Sequence, residues 1–120
     1  MTFKVVIPAR YNSTRLPGKP LIKIGGIPMV IHVAKKARMS GAEEVVIATD
    51  DKRIVDVVTS YNFEALMTSD KHISGTDRVL EVVKSKKWLD NELIINVQGD
   101  EPLIDPQLIK LLYKGMSEEG

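Results

Sequence analysis

Val6–Leu21, VIPARYNSTRLPGKPL, decides how this chain is read. The apolar run Phe3–Ile7 ends abruptly in a loop from Pro8 to Pro20, which carries Arg10, Arg15 and Lys19 and no acid. Ser13 and Thr14 add hydroxyls, and Gly18 adds a backbone position free to turn either way. A buried strand that empties into a cationic, hydroxyl-bearing loop is how α/β proteins build phosphate sites. The competing reading is a solvated loop whose cations serve only solubility; the position directly after a first strand favours the site. Spacing narrows the kind of site. A Walker loop needs Gly-x4-Gly-Lys followed by Ser or Thr, but Lys19 is followed by Pro20 and position 13 is serine. Gly-x-Gly-x-x-Gly is absent as well, so the dinucleotide fingerprint fails.

Working outward, strands and helices alternate. Phe3–Ile7 reads as a fully buried strand. Pro28 opens a helix where its missing N–H costs nothing, with Val30, Val33, Ala34 and Ala37 as the apolar stripe and Gly41 as the stop. Glu44–Ala48 is a second strand, and Lys52–Tyr61 a second helix capped by Asp51. A short strand at Ala65–Met67 and a polar loop from Thr68 to Thr76 follow. The pattern then predicts a helix over Asp77–Lys86, with Val79, Val82 and Val83 on one side, and a strand over Leu93–Val97. Asp105-Pro106 marks the start of a last helix through Leu112. Such alternation predicts a mostly parallel, three-layer α/β sheet.

In these sheets ligands sit beyond the carboxyl ends of the strands. The basic loop, Thr49-Asp50-Asp51, Thr68–Arg78 and Gln98-Gly99-Asp100-Glu101-Pro102 all fall there. Asp100, beside a glycine at a strand end, suits Mg²⁺, which takes one or two carboxylates plus substrate phosphates. A plain Gly-Asp turn is the equal alternative. His72 lies in a polar loop with no acid partner at triad spacing, and His32 reads as a packed or half-exposed helix residue. Asp50 and Asp51 are explained by a turn and a helix cap. Asp77 and Arg78 either contact substrate or form a first-turn pair, Lys84, Lys86 and Lys87 read as a solvated helix end, and Trp88 and Met67 as core or rim packing.

Composition bounds the function. At 120 residues, 43% hydrophobic and 28% charged, the chain builds one compact core and not two. A net charge of +1 gives no case for a nucleic-acid or membrane surface. The absence of cysteine excludes disulfides and thiolate metal sites and fits a cytoplasmic protein. The N-terminal apolar run breaks at Pro8, too short for a signal peptide or a membrane span.

Four segments together carry a resemblance: residues 7–21; Ala48-Thr49-Asp50; Met67–Arg78, read as Met-Thr-x-x-x-His-x-Ser-Gly-Thr-Asp-Arg; and Asn96–Pro102, Asn-Val-Gln-Gly-Asp-Glu-Pro. In this order they resemble the 3-deoxy-manno-octulosonate (KDO) cytidylyltransferases, over nearly the whole chain. Sialic-acid activating enzymes share the general fold, but their opening loops lack the Ser-Thr-Arg-Leu-Pro-Gly-Lys run. The resemblance implies a Rossmann-like nucleotide-diphospho-sugar transferase fold, apparently truncated. It also implies transfer of CMP from CTP to KDO, release of pyrophosphate, a requirement for Mg²⁺, a role in lipopolysaccharide biosynthesis, and a homodimer for the complete protein.

Carried over to these positions, Arg10 and Lys19 would hold the triphosphate, with Ser13 and Thr14 shaping the loop. The backbone near Pro8 and Ala9, with Ser74, Gly75 and Thr76, would read cytosine and ribose. Gln98 would lie between nucleotide and sugar, Asp100 would ligate magnesium, and Arg15 would meet phosphate or the sugar acid. Arg10, Lys19 and Asp100 are thus the expected catalytic set. The chemistry agrees: two anionic substrates repel each other, so fixed cations and metal must offset the Coulomb cost. Positioning then does most of the work in phosphoryl-type transfer.

Members of that family are substantially longer. Residues 1–120 correspond to the nucleotide-binding part, and the rest normally supplies the sugar pocket, a second metal-binding aspartate and the dimer contacts. The closing segment Lys114–Gly120 reads as a frayed helix end, so a fragment with little or no turnover of its own is expected. The alternatives are a cytidylyltransferase for another acidic sugar (an 8-amino KDO analogue or a sialic-type acid) and a non-catalytic CTP-binding fragment.

Overall fold

A computed structural model of the chain describes residues 2–12, 17–71, 75–88, 93–99 and 106. Its first strand, β1 (Phe3–Pro8), is buried at all positions, as parallel strands covered on both faces must be. A 3-10 turn at Lys19–Leu21 leads into a two-residue-per-strand hairpin, β2 (Lys23–Ile24) and β3 (Ile27–Pro28). Then come α1 (Met29–Met39), β4 (Glu44–Thr49), α2 (Lys52–Ser60), β5 (Glu64–Met67), α3 (Gly75–Lys86) and β6 (Leu93–Asn96). The helix expected after Asp105 lies outside the described residues apart from Pro106.

The main sheet has the order β5-β4-β1-β6, and every pairing in it is parallel. The chain steps outward from β1 to β4 to β5, then returns across the sheet to place β6 on the other side of β1. Alternate residues of β1 face opposite ways. Phe3, Val5 and Ile7 join one core with Val30, Val33 and Ala37 of α1 and Ile54 and Val58 of α2. Val6 packs on the other face with Val46, Ala48 and Val82 of α3. Among the described residues, two helices on one face and one on the other give the three layers. The exception to the apolar pattern is Lys4, 4% exposed within β1. Its ammonium pairs with Glu43 at 3.0 Å and lies 5.4 Å from the centre of the Trp88 ring, so the buried charge has partners. The same contact holds the Glu43 carboxyl below its ordinary pKa.

Local signals place the boundaries. The Asp51 carboxylate accepts from the Arg53 N–H at 2.8 Å, the expected cap of α2. Past the end of α1, Gly41 adopts φ +94 and its N–H reaches the Arg38 carbonyl at 3.2 Å, which stops the helix as the sequence predicts. Three expectations need correction. The hairpin at Lys23–Pro28 was not foreseen; Gly25 and Gly26, at φ +60 and +82, form its turn. Pro28 therefore ends β3 and directly precedes the helix, which starts at Met29. The third helix begins at Gly75, two residues before the expected Asp77, shortening the polar loop. Of the two places expected for Met67, core or rim, it takes the rim, 51% exposed as the last residue of β5 at the edge of the described sheet.

Candidate functional site

Four parallel strands deliver their carboxyl ends to one edge, and the order reverses between β1 and β6. The carboxyl ends of β1 and β6 therefore lie side by side at the reversal, the kind of place at which α/β sheets bind ligands. A cavity of about 220 Å³ lies there, lined by Pro8, Ala9, Arg10, Lys19, Pro20, Gly75, Arg78, Gln98 and Gly99.

Its walls are fixed by backbone contacts. The Ala9 N–H donates to the Ala48 carbonyl at 2.9 Å, extending the β1–β4 ladder past Pro8. The Gly99 N–H donates to the Pro8 carbonyl at 3.2 Å, closing the β6 side. A Cβ on Gly99 would stand 3.1 Å from both the Pro8 carbonyl oxygen and the Ala9 Cβ. Glycine is thus what lets these two chains approach. Gly75 plays a similar part across the cavity: a Cβ there would meet the Pro8 ring at 3.3 Å and the Gln98 amide at 3.6 Å.

The cationic loop is braced from α2. Asp51 takes two side-chain hydrogen bonds from Arg53, at 3.0 and 2.8 Å. The Arg53 guanidinium lies 3.3 Å from the centre of the Tyr11 ring. Tyr11 in turn flanks Gly18, whose N–H donates to the Tyr11 carbonyl at 2.6 Å. Gly18, at φ +73, immediately precedes Lys19. This run of contacts sets where the lysine emerges.

Of the residues expected at the site, the structure brings Pro8, Ala9, Arg10, Lys19, Gly75 and Gln98 together around the cavity. Arg10 and Gln98 are exposed and Lys19 is half-buried. Thr76 stands exposed on the first turn of α3 and does not line the cavity. Ser13, Thr14, Arg15, Ser74 and Asp100 lie outside the described residues, as does His72. His32 is a half-buried helix residue whose Nε2 donates to the Ile24 carbonyl at 2.7 Å, tying the hairpin to α1.

Arg78 is the residue the sequence left undecided. It is 1% exposed, among the largest fully buried side chains, and lines the cavity. Its Nη1 donates to the Thr68 hydroxyl and, at 3.1 Å, to the Ser69 carbonyl, and Nη2 lies 3.7 Å from the Asp50 carboxylate. Burial pushes the guanidinium below its ordinary pKa; Asp50 opposes this and Arg10 adds to it. A signal was available: Arg78 and Val82 stand four apart, on the same helix face.

A parallel three-layer sheet with a cationic cavity at its point of strand reversal is the arrangement in which α/β proteins bind nucleotides. The chain belongs to the cytidylyltransferase family, which it matches over residues 4–120. It is 55% identical over 109 residues to the 3-deoxy-manno-octulosonate cytidylyltransferase of Nitrosococcus oceani, covering 91% of this chain and 42% of that one. To the enzyme of the same name from Photobacterium profundum it is 54% identical over all 120 residues, which cover 48% of that protein. Among solved structures, CMP:2-keto-3-deoxy-manno-octonic acid synthetase complexed with CTP superposes with a TM-score of 0.91. The two are 44% identical, over 98% of this chain and 48% of that one. The chain thus spans less than half the length of these relatives.

Proposed function

We propose that residues 1–120 form the nucleotide-binding part of a 3-deoxy-manno-octulosonate cytidylyltransferase, which transfers CMP from CTP to KDO with release of pyrophosphate, a step of lipopolysaccharide biosynthesis. The cavity at the β1/β6 reversal, with Arg10 and Lys19 on its rim and Gly75 and Gln98 opposite, carries this reading. The neighbour holding CTP and the relatives' shared name support it.

In this reading the Pro8–Ala9 backbone and Gly75 form the slot for the base and ribose. Arg10 and Lys19 hold the phosphates and stabilise the charge that grows on them as the leaving group departs. Gln98 stands where nucleotide and sugar meet. No protein nucleophile is required, because holding two anions in line supplies most of the acceleration. Magnesium belongs to the proposal through Asp100. Among the described residues no three of His, Asp and Glu cluster as a metal site. Magnesium takes one or two carboxylates plus substrate phosphates, so Asp100 would hold it together with the ligand's phosphates and the second aspartate expected from the rest of the protein. Gly99, hydrogen-bonded to Pro8, anchors the chain one residue before Asp100. When bound, the metal would neutralise phosphate charge and lower the pKa of the attacking hydroxyl. Among the described residues no helix is long and apolar enough to cross a membrane; a cytoplasmic homodimer completes the proposal.

Calorimetry with CTP, ATP, GTP and UTP in the presence of Mg²⁺, repeated on Lys19→Ala, tests it. CTP-selective binding that the substitution weakens by tenfold or more, about 1.4 kcal/mol, is expected. Equal binding of all four nucleotides would overturn the assignment.

A further inference from the structure

Arg78 has work left over after its structural contacts are counted. Nη1 anchors the chain that leaves β5, through Thr68 and Ser69. Nε and Nη2 are buried and have no hydrogen-bond acceptor among the described residues. Asp50 stands 3.7 Å from Nη2, close enough for Coulomb attraction and too far for a hydrogen bond. Leaving two charged donors desolvated and unbonded is costly. These two atoms form one edge of the guanidinium, with parallel N–H bonds spaced to meet an acceptor carrying two oxygens. The side chain lines the nucleotide cavity, with Arg10 near enough to depress its pKa.

We infer that Arg78 is an oxyanion-binding residue of this cavity, which presents its Nε–Nη2 edge to a phosphate or carboxylate of the bound substrates while Nη1 locks the side chain in place. The inference rests on the cytidylyltransferase reading and adds a binding residue inside the fold to the cations on the loop. A buried, pre-anchored fork loses little freedom on binding, so it contributes more per contact than an exposed lysine does. Asp50 balances the charge of the fork before the ligand arrives.

The test is calorimetric titration of wild type, Arg78→Lys and Arg78→Met with CTP, CMP and cytidine, and of the CTP-bound proteins with KDO. Arg78→Met is expected to weaken a phosphate-bearing ligand by about 10- to 100-fold, the range for a hydrogen bond to a charged group, while cytidine changes little. Arg78→Lys keeps the charge without the fork and should recover only part of the loss. A loss confined to CTP and CMP identifies a phosphate acceptor, and one confined to KDO identifies the sugar carboxylate. Because these variants also lose the Thr68 anchor, the Nε–H resonance of Arg78 is followed in the wild-type protein as well. It should shift on adding CTP, or KDO to the CTP complex, and stay in place with cytidine. Equal losses for every ligand, or a resonance unmoved by all of them, would overturn the inference. Wild type that binds neither CTP nor CMP would overturn the reading of residues 1–120 as the nucleotide-binding part, and the inference with it.

Discussion

Replacing Gly18 by alanine should destabilise the protein more than replacing Gly41, although both glycines are left-handed. Gly41, at φ +94, has open space where a Cβ would project, so alanine there brings only the backbone strain, about 1–2 kcal/mol. Gly18, at φ +73, brings that strain and a collision: its Cβ would stand 3.1 Å from Cε2 and 3.2 Å from Cζ of Tyr11. The ring cannot yield freely. Arg53 lies 3.3 Å from its centre, and Arg53 is itself held by two bonds to Asp51. Overpacking of this kind adds about 1–2 kcal/mol, giving a total of about 2–4 kcal/mol for Gly18→Ala. Urea unfolding followed by circular dichroism reads the difference. With a slope near 2 kcal/mol/M, the midpoint of Gly18→Ala should fall about 0.5–1 M below that of Gly41→Ala. CTP affinity should fall only in the former, because Lys19 follows Gly18. Equal midpoints for the two variants would show that Tyr11 is not braced, and the account of how the loop is positioned would fail.

Asp51→Ala removes the α2 cap and should cost about 0.5–2 kcal/mol, whereas Asp51→Asn, itself a good cap, should lose only a few tenths at neutral pH. The Arg53 hydrogen bonds hold the Asp51 carboxyl below its ordinary 3.8. The stability it contributes is therefore complete above that value and is lost as pH falls through the lower folded-state pKa; acid titrations of wild type and Asp51→Asn should converge there. Lys86 bridges Glu64 at 2.6 Å and Glu44 at 3.1 Å, and the Glu64 bond leads in raising its pKa above 10.5. Its contribution is complete below 10.5 and is lost as pH rises through the folded-state value. The gap to Lys86→Met, about 0.5–1 kcal/mol at neutral pH for a cluster that solvent still reaches, should close in alkaline unfolding curves.

The sheet was legible because its strands are short apolar runs between helices with clear stripes, and burial on both faces leaves such runs no other use. The crevice followed from parallel order alone. The hairpin at Lys23–Pro28 was missed although Gly25-Gly26 is a turn signal, because its strands are two residues each and too short for an alternating pattern. The early start of α3 was hidden for a related reason: Gly75 and Thr76 look like loop residues, and glycine is there for close approach to Pro8. Arg78 was harder. Spacing left it between a substrate contact and a first-turn pair with Asp77, and only the i, i+4 relation to Val82 marks it as facing inward. Its fate depended on Thr68, Ser69 and Asp50, which come from other elements and cannot be placed beside it by sequence spacing.

The placement of β1 also dictates the order in which this molecule can be made. Its two neighbours arrive late: Lys4 pairs with Glu44, and Phe3 with Leu93, 40 and 90 residues along the chain. A strand synthesised first and enclosed last spends the interval with one edge open, the condition under which unpaired strands recruit other chains. Closing such distant partners is also slow, since loop entropy must be overcome before the contacts form. The crevice between β1 and β6 therefore exists only after β6 has paired. A nucleotide that binds there acts as a clasp on the seam between the strands most distant in sequence among the described residues, and CTP present during refolding should raise the yield of native protein by holding that seam shut.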